Sequence, residues 1–281
     1  SSQNELKDYD YDSSTIQTLL NLLSYNTYYN SFYINMLANE MFLDSALIRN
    51  NVVSRAKQVG YTPRSARGAT ATLRVVVTPD DSPATVIVPE NTQFTSTIDD
   101  ISYTFSTLDS FALDPSGATF VGNIDIVEGN RVQESYTVNS NDPSRYLLNN
   151  QNADTSTLVV SVQESSSNTS TTIYSLASTL NNLDSTSEVY FLSEEQDEKY
   201  EVYFGDGIVG KQPRDGNIIK LNYNVVNGSD VNNANNFVAS STIAGYSTFT
   251  TSLVTRAQGG AEIESVDSIK FNAPSQFTVQ N

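Results

Sequence analysis

The stretch Leu19-Leu-Asn-Leu-Leu-Ser-Tyr-Asn-Thr-Tyr-Tyr-Asn-Ser-Phe-Tyr-Ile-Asn-Met-Leu37 decides how this chain is read. At helical spacing, Leu19, Leu22, Leu23, Tyr29, Phe32, Tyr33, Met36, Leu37 and Leu43 fall on one apolar stripe. Leu20, Tyr25, Tyr28, Phe32, Asn35, Asn39 and Phe42 form a second. A helix with one wet side needs a single stripe, so a helix with two expects burial inside a bundle. The remaining sequence offers few helical segments to build that bundle, which points to other subunits. Tyr25, Tyr28, Tyr29 and Tyr33 suit such an interface, since a ring with a polar tip fits a partly wet contact. They would serve equally in an intrachain core, and the two stripes favour the interface.

The helical stretch is expected to run from Ser14 into the basic turn Tyr61-Thr-Pro-Arg-Ser-Ala-Arg-Gly68, where the period changes. From there the pattern is one of short β-branched runs between turn residues. Strands are expected at 72–78, 84–88, 102–105, 118–127, 132–138, 157–162, 171–174, 188–192, 199–204, 218–226 and 246–253. Pro89-Glu-Asn-Thr92 and Glu128-Gly-Asn130 read as hairpin connections, and 165–170 as a flexible loop tip. Helical spacing returns at Ala261 to Phe271, with Ile263, Val266 and Ile269 or Lys270 on one side. The sequence then ends without an evident cap, as a fragment of something longer would. The fold class is therefore α+β: an N-terminal helical oligomerisation segment followed by a mainly-β body, on a chain that reads as truncated at both ends. The expected divisions are 1–68 for the helical segment, 69–256 for the β-rich body and 257–281 for the start of a C-terminal region.

Composition excludes much. The chain has 281 residues and neither cysteine nor histidine, which removes disulfides, thiolate chemistry and the commonest general base and metal ligand. The apolar runs are too short to span a bilayer, and Ser1-Ser-Gln-Asn-Glu-Leu-Lys7 lacks the form of a signal peptide. A net charge of −17 argues against nucleic-acid binding. Residues 1–68 hold six acidic and six basic residues, so all of the excess lies after Gly68. A neutral helical part and an acidic β part suggest two surfaces with different partners.

Gly205-Asp-Gly-Ile-Val-Gly210 is a literal G-x-G-x-x-G, but neither a following helix nor an acidic residue about 20 positions on accompanies it, so Gly205, Asp206, Gly207 and Gly210 read as a structural turn between strands. Asp206 has no alternating ligand loop for calcium around it. Glu194, Glu195, Asp197 and Glu198 read as a solvated loop with no pair singled out as acid and nucleophile. No catalytic residue, cofactor or metal site is expected, and the protein is read as no enzyme. Arg49, Arg55, Lys57, Arg64, Arg67 and Arg74 form a basic run with two readings. They dock the acidic β surface of a neighbour through forked hydrogen bonds, or they face water near a helix C-terminus.

Ser24 to Asp44, Val53-Ser-Arg-Ala-Lys57, Gly60 to Arg67, the run Tyr200 to Gly210 with Asp215-Gly216 and Tyr223, and Gly259-Gly260, Glu264-Ser265 and Ile269 to Pro274 together resemble the baseplate wedge proteins of T-even-like myophages, of the baseplate J-like family. That resemblance implies a non-enzymatic structural component of a contractile phage tail, located in the virion baseplate and, during assembly, in the host cytoplasm. The implied partners are a second copy, other baseplate wedge proteins and the sheath-initiating baseplate protein, around a central hub that rearranges on sheath contraction. The helix residues Leu19, Leu22, Leu23, Tyr25, Tyr28, Tyr29, Phe32, Tyr33, Met36 and Leu37 would form the bundle, with Arg49, Arg55, Arg64 and Arg67 as a basic contact. The rival from another class is a carbohydrate- or receptor-binding tail module, since acidic Ser/Thr/Asn-rich β proteins suit that role too.

Overall fold

A computed structural model describes residues 15–139, 145–177 and 183–279. Ser14, the expected helix start, lies outside them, as do the Ser1-to-Lys7 segment and the last two residues. The chain forms two compact units, residues 1–61 with 266–281, and residues 62–265.

In the first unit, α1 spans Thr15–Glu40 and α2 spans Arg49–Gln58. The expected continuous stretch is broken after Glu40, because that carboxylate turns back on the chain. It accepts hydrogen bonds from the backbone N–H groups of Leu47 and Ile48 and from Asn51 Nδ2 at 2.9, 3.3 and 2.8 Å. These donors, Asn51 first, hold the Glu40 carboxyl below its ordinary pKa. The stripes consequently stop short: Phe42 lies exposed in the turn, and Leu43 packs against a small core. That core joins Ala46, Val52, Val53 and Ala56 to Ile269 and Ala273 of α3, which spans Val266–Val279. The last helix begins later than Ala261 and continues past Pro274. Ile263, expected on its apolar side, packs instead with the second β core described below.

The second unit carries the strands. β1 (Thr70–Val77), β2 (Val86–Val88), β3 (Gln93–Ile98), β4 (Ile101–Ser106), β5 (Phe111–Ser116) and β6 (Thr119–Glu128) come first. β7 (Asn130–Thr137), β8 (Arg145–Leu147), β9 (Ala153–Gln163), β10 (Thr171–Leu176) and β11 (Val189–Glu194) follow. β12 (Tyr200–Phe204), β13 (Ile218–Val225), β14 (Val238–Ala239) and β15 (Phe249–Gln258) complete the set. One sheet has the order β14-β3-β4-β6-β1-β15, with β5 joined to β6 and β2 to β5. The other runs β7-β13-β9-β10-β11-β12-β8, and only its β10–β11 pair is parallel. Alternation sets which face is buried: in β1, Ala71, Leu73, Val75 and Val77 point into the core while Thr70 and Arg74 face water.

Each sheet has its own core. Leu73, Phe94, Phe105, Ile124, Ile126 and Phe237 fill the first, where the Phe105 and Phe237 rings meet edge to face at 4.9 Å. Tyr200, Val202, Phe204, Ile219, Leu221 and Tyr223 fill the second. At its margin Tyr223 and Tyr136 donate to the Glu134 carboxylate at 2.6 and 2.9 Å. Burial, followed by that hydrogen bond, pushes the Tyr136 hydroxyl up to about 12.

Two expected hairpins are not hairpins. Pro89 to Thr92 does turn, with Asn91 at φ 59°, but it connects β2 to β3, which pair with β5 and with β4 and β14. Glu128-Gly-Asn130 carries the chain from one sheet to the other. Gly129 has φ +132°, and a Cβ there would lie 2.9 Å from Asn224 Cβ, so the crossover needs glycine. The loop at 165–170 does close a hairpin, between the antiparallel strands β9 and β10.

Candidate functional site

The most unusual surface belongs to α1. Leu19, Leu20, Leu22, Leu23, Tyr25, Tyr28, Tyr29, Phe32, Tyr33, Ile34, Met36 and Leu37 are all exposed, from 38% at Tyr29 to 68% at Leu37. Scattered apolar residues on a surface are ordinary, whereas a contiguous apolar helix marks a site of association. Every candidate bundle residue lies on this exposed rod. Neighbouring rings along the rod touch one another: Tyr25 and Tyr29 stand 4.4 Å apart, and Phe32 and Tyr33 5.9 Å. A hydrogen bond with Tyr29 raises the Tyr25 hydroxyl above the usual tyrosine value. No residue from Thr15 to Asn39 is charged, and Glu40 is the first. Among the described residues no helix is long and apolar enough to cross a membrane.

The rod's polar residues largely satisfy themselves along the helix. Gln17 Nε2 donates to Asn21 Oδ1 at 3.3 Å, Asn30 Nδ2 to Asn26 Oδ1 at 2.9 Å, and Thr27 Oγ1 to the Leu23 carbonyl at 2.8 Å. The Asn26–Asn30 pair had no place in the sequence reading, although an asparagine pair at i, i+4 between leucines and tyrosines was a visible signal.

The basic residues divide between the units. Arg49 and Arg55 belong to α2, with Arg55 and Lys57 in its last turn, where cations meet the negative end of the helix dipole. Arg55 Nε is buried without a hydrogen-bond partner among the described residues. Arg64 reaches 3.6 Å from the buried Glu264 carboxylate, which also accepts the Arg64 backbone N–H at 3.0 Å. Arg67 is exposed, and its backbone bridges to Ala261.

In the glycine loop, a Cβ on Gly205 would lie 2.0 Å from the Val209 carbonyl oxygen, so the backbone crosses itself there. Asp206 Oδ1 accepts the N–H groups of Ile208 and Val209 at 2.9 and 3.1 Å, which hold its carboxyl below the usual range. The loop joins β12 to β13 and leaves Ile208 75% exposed at its tip.

The four acids read as a solvated loop include one that is not solvated: Glu194, at the end of β11, is 1% exposed. A second buried carboxylate, Glu128, sits where the chain passes between sheets and accepts from Asn227 N and Nδ2 at 3.1 and 2.7 Å. Burial raises its pKa, and the nearby Asp154 charge adds to the effect. Asp154 is itself held by Gly68 N and by Ser156 N and Oγ. Strand alternation did not reveal these acids, because each is placed by a strand end or crossover. Among the described residues no group of three or more acids is arranged to hold a metal ion.

Residues 1–61 match a family described as the helical domain of gp6-like baseplate wedge proteins. Across 260 residues, 86% of the chain, the sequence is 26% identical to baseplate wedge protein gp6 of Enterobacteria phage T4. The chain spans 38% of that relative's length. Both matches bear out the resemblance to baseplate wedge proteins, and the first coincides with the segment that holds the exposed helix.

Proposed function

We propose that this chain is a structural wedge component of a contractile phage tail baseplate, and that α1 docks it into a helical bundle with a second copy and another wedge protein. The carrying observation is the twelve-residue apolar surface of α1, exposed along a helix without a charge before Glu40. Burying one large apolar side chain contributes roughly 1.5–3 kcal/mol. Association costs about 4–15 kcal/mol, so the burial must extend over much of this surface to offset it. The match of residues 1–61 to a wedge-protein helical domain supports the same reading.

The role is mechanical and not catalytic. The β body braces neighbouring wedge proteins and the sheath-initiating protein, with Arg64 and Arg67 supplying basic contacts from the body, Arg49 and Arg55 from α2, and the glycine loop a rigid turn. Interfaces arranged one way before sheath contraction and another way after it bias the switch by their difference in contact energy. The protein works in the virion baseplate and assembles in the host cytoplasm.

Mass photometry of the chain, alone and mixed with other wedge proteins, tests this. Deleting residues 14–47 is expected to abolish association. Because that deletion also removes Leu43 and Ala46 from the small helical core, Leu22→Gln with Phe32→Gln, at exposed positions, provides a second variant. Assembly retained by both variants overturns the proposal.

A further inference from the structure

The polar residues of α1 are unequally placed. At 3.6 residues per turn, Leu19, Leu22 and Leu23 precede Asn26 on the same face by seven, four and three residues, and Tyr29 and Tyr33 follow it by three and seven. Asn26 therefore stands in the middle of the apolar face with Asn30 beside it. The similar Gln17–Asn21 pair lies on the opposite face, near Ser24, Asn35 and Asn39. Within the Asn26–Asn30 pair a single hydrogen bond is made, and among the described residues the Asn26 amide N–H groups and the Asn30 carbonyl oxygen have no other partner.

We propose that Asn26 and Asn30 fix the alignment in which a second copy of this chain packs against α1. The inference rests on the bundle reading above and names the residues that make the bundle specific. Covering the apolar face buries both amides, and a buried amide without a partner is costly. The second copy supplies the complement. An amide carries both a donor and an acceptor, so the same pair on an identical helix satisfies it. A partner chosen by charge has nothing to recognise between Thr15 and Asn39. Sliding one parallel helix past the other by two turns would leave the amides against Leu19, Leu23, Tyr33 and Leu37, which penalises that register. The surrounding apolar residues supply affinity, and the amide pair sets number and alignment, as a single buried asparagine does in coiled coils.

The test replaces both with Asn26→Leu and Asn30→Leu in the full chain and measures assembly by mass photometry, with wedge partners added if association requires them. Leucine favours the helix, and both sites are exposed in the isolated chain, so folding is preserved. The expected result is association at a concentration at least about tenfold lower, with the single stoichiometry replaced by a mixture. Gln17→Leu with Asn21→Leu keeps the single stoichiometry. One unchanged stoichiometry for the Asn26/Asn30 variant overturns the inference.

The absence of cysteine supplies an independent readout. Asn26→Cys and Asn30→Cys are expected to form disulfide-linked dimers on mild oxidation, each with itself if the helices are parallel and with each other in a mixed sample if they are antiparallel. Crosslinking through Asn21→Cys, and through neither of the others, overturns the inference. A wild-type chain that never associates in any mixture sinks the bundle reading itself, a result distinct from both.

Discussion

The helix α1 and the β body solve the problem of apolar surface in opposite ways. The body alternates its residues so that Leu73, Phe94, Phe105, Tyr200 and Leu221 are wholly enclosed, and it carries nearly all of the charge excess. The helix is richer in apolar residues, carries no charge before Glu40, and leaves its rings and leucines in the open. A sheet of several strands that buries one apolar face can be stable by itself, whereas a lone helix depends on the packing of its apolar face. The body thus encloses its own core, whereas the rod leaves its apolar face in the open.

Breaking the body should have the largest effect. Phe105→Ala removes a fully buried ring stacked edge to face on Phe237 and is expected to cost about 3–5 kcal/mol, read as a fall in the denaturation midpoint of the isolated chain. An equal loss from Leu22→Ala would erase the contrast between the two regions. Leu22→Ala is instead expected to leave the isolated chain within roughly 0.5 kcal/mol of wild type, as exposed substitutions do. In the assembled complex the same change should weaken association by about 1 kcal/mol or more, measured as a shift in dissociation midpoint.

The smallest effect sharpens the picture of the body's interior. Glu128 has its pKa raised by burial in the fold, so its stabilising contribution is present below the ordinary glutamate pKa and fades as pH rises through the raised value. Asp206, held low by backbone N–H groups, runs the other way, so only a comparison with a variant isolates Glu128. Glu128→Gln is expected to raise the melting temperature at neutral pH and to leave it unchanged at a pH below the ordinary glutamate value. A variant that melts lower at neutral pH would show that the bonds from Asn227 outweigh the cost of burying the charge.

Much of the fold was legible. Strands such as Thr70–Val77 and Ile218–Val225 announce themselves by β-branched alternation, and the exposed helix by its two stripes. The weaker strands Gln93–Ile98, Phe111–Ser116, Arg145–Leu147 and Val238–Ala239 were not, being short, polar or interrupted by proline. Turn residues located turns correctly at Asn91 and Gly129 but could not say which strands would pair, because backbone conformation is local and pairing is not.

From composition and periodicity alone came the α+β class, the helix that its own chain leaves uncovered, the lack of cysteine and histidine chemistry, and the placement of the negative charge. Only the tertiary structure decided that Glu40 ends α1 by bending back to Leu47, that Gly129 passes the chain between two sheets, and that Glu128 and Glu194 lie sealed inside. Side-chain periodicity reports which face of an element is apolar, whereas these features depend on groups far apart in sequence meeting in space.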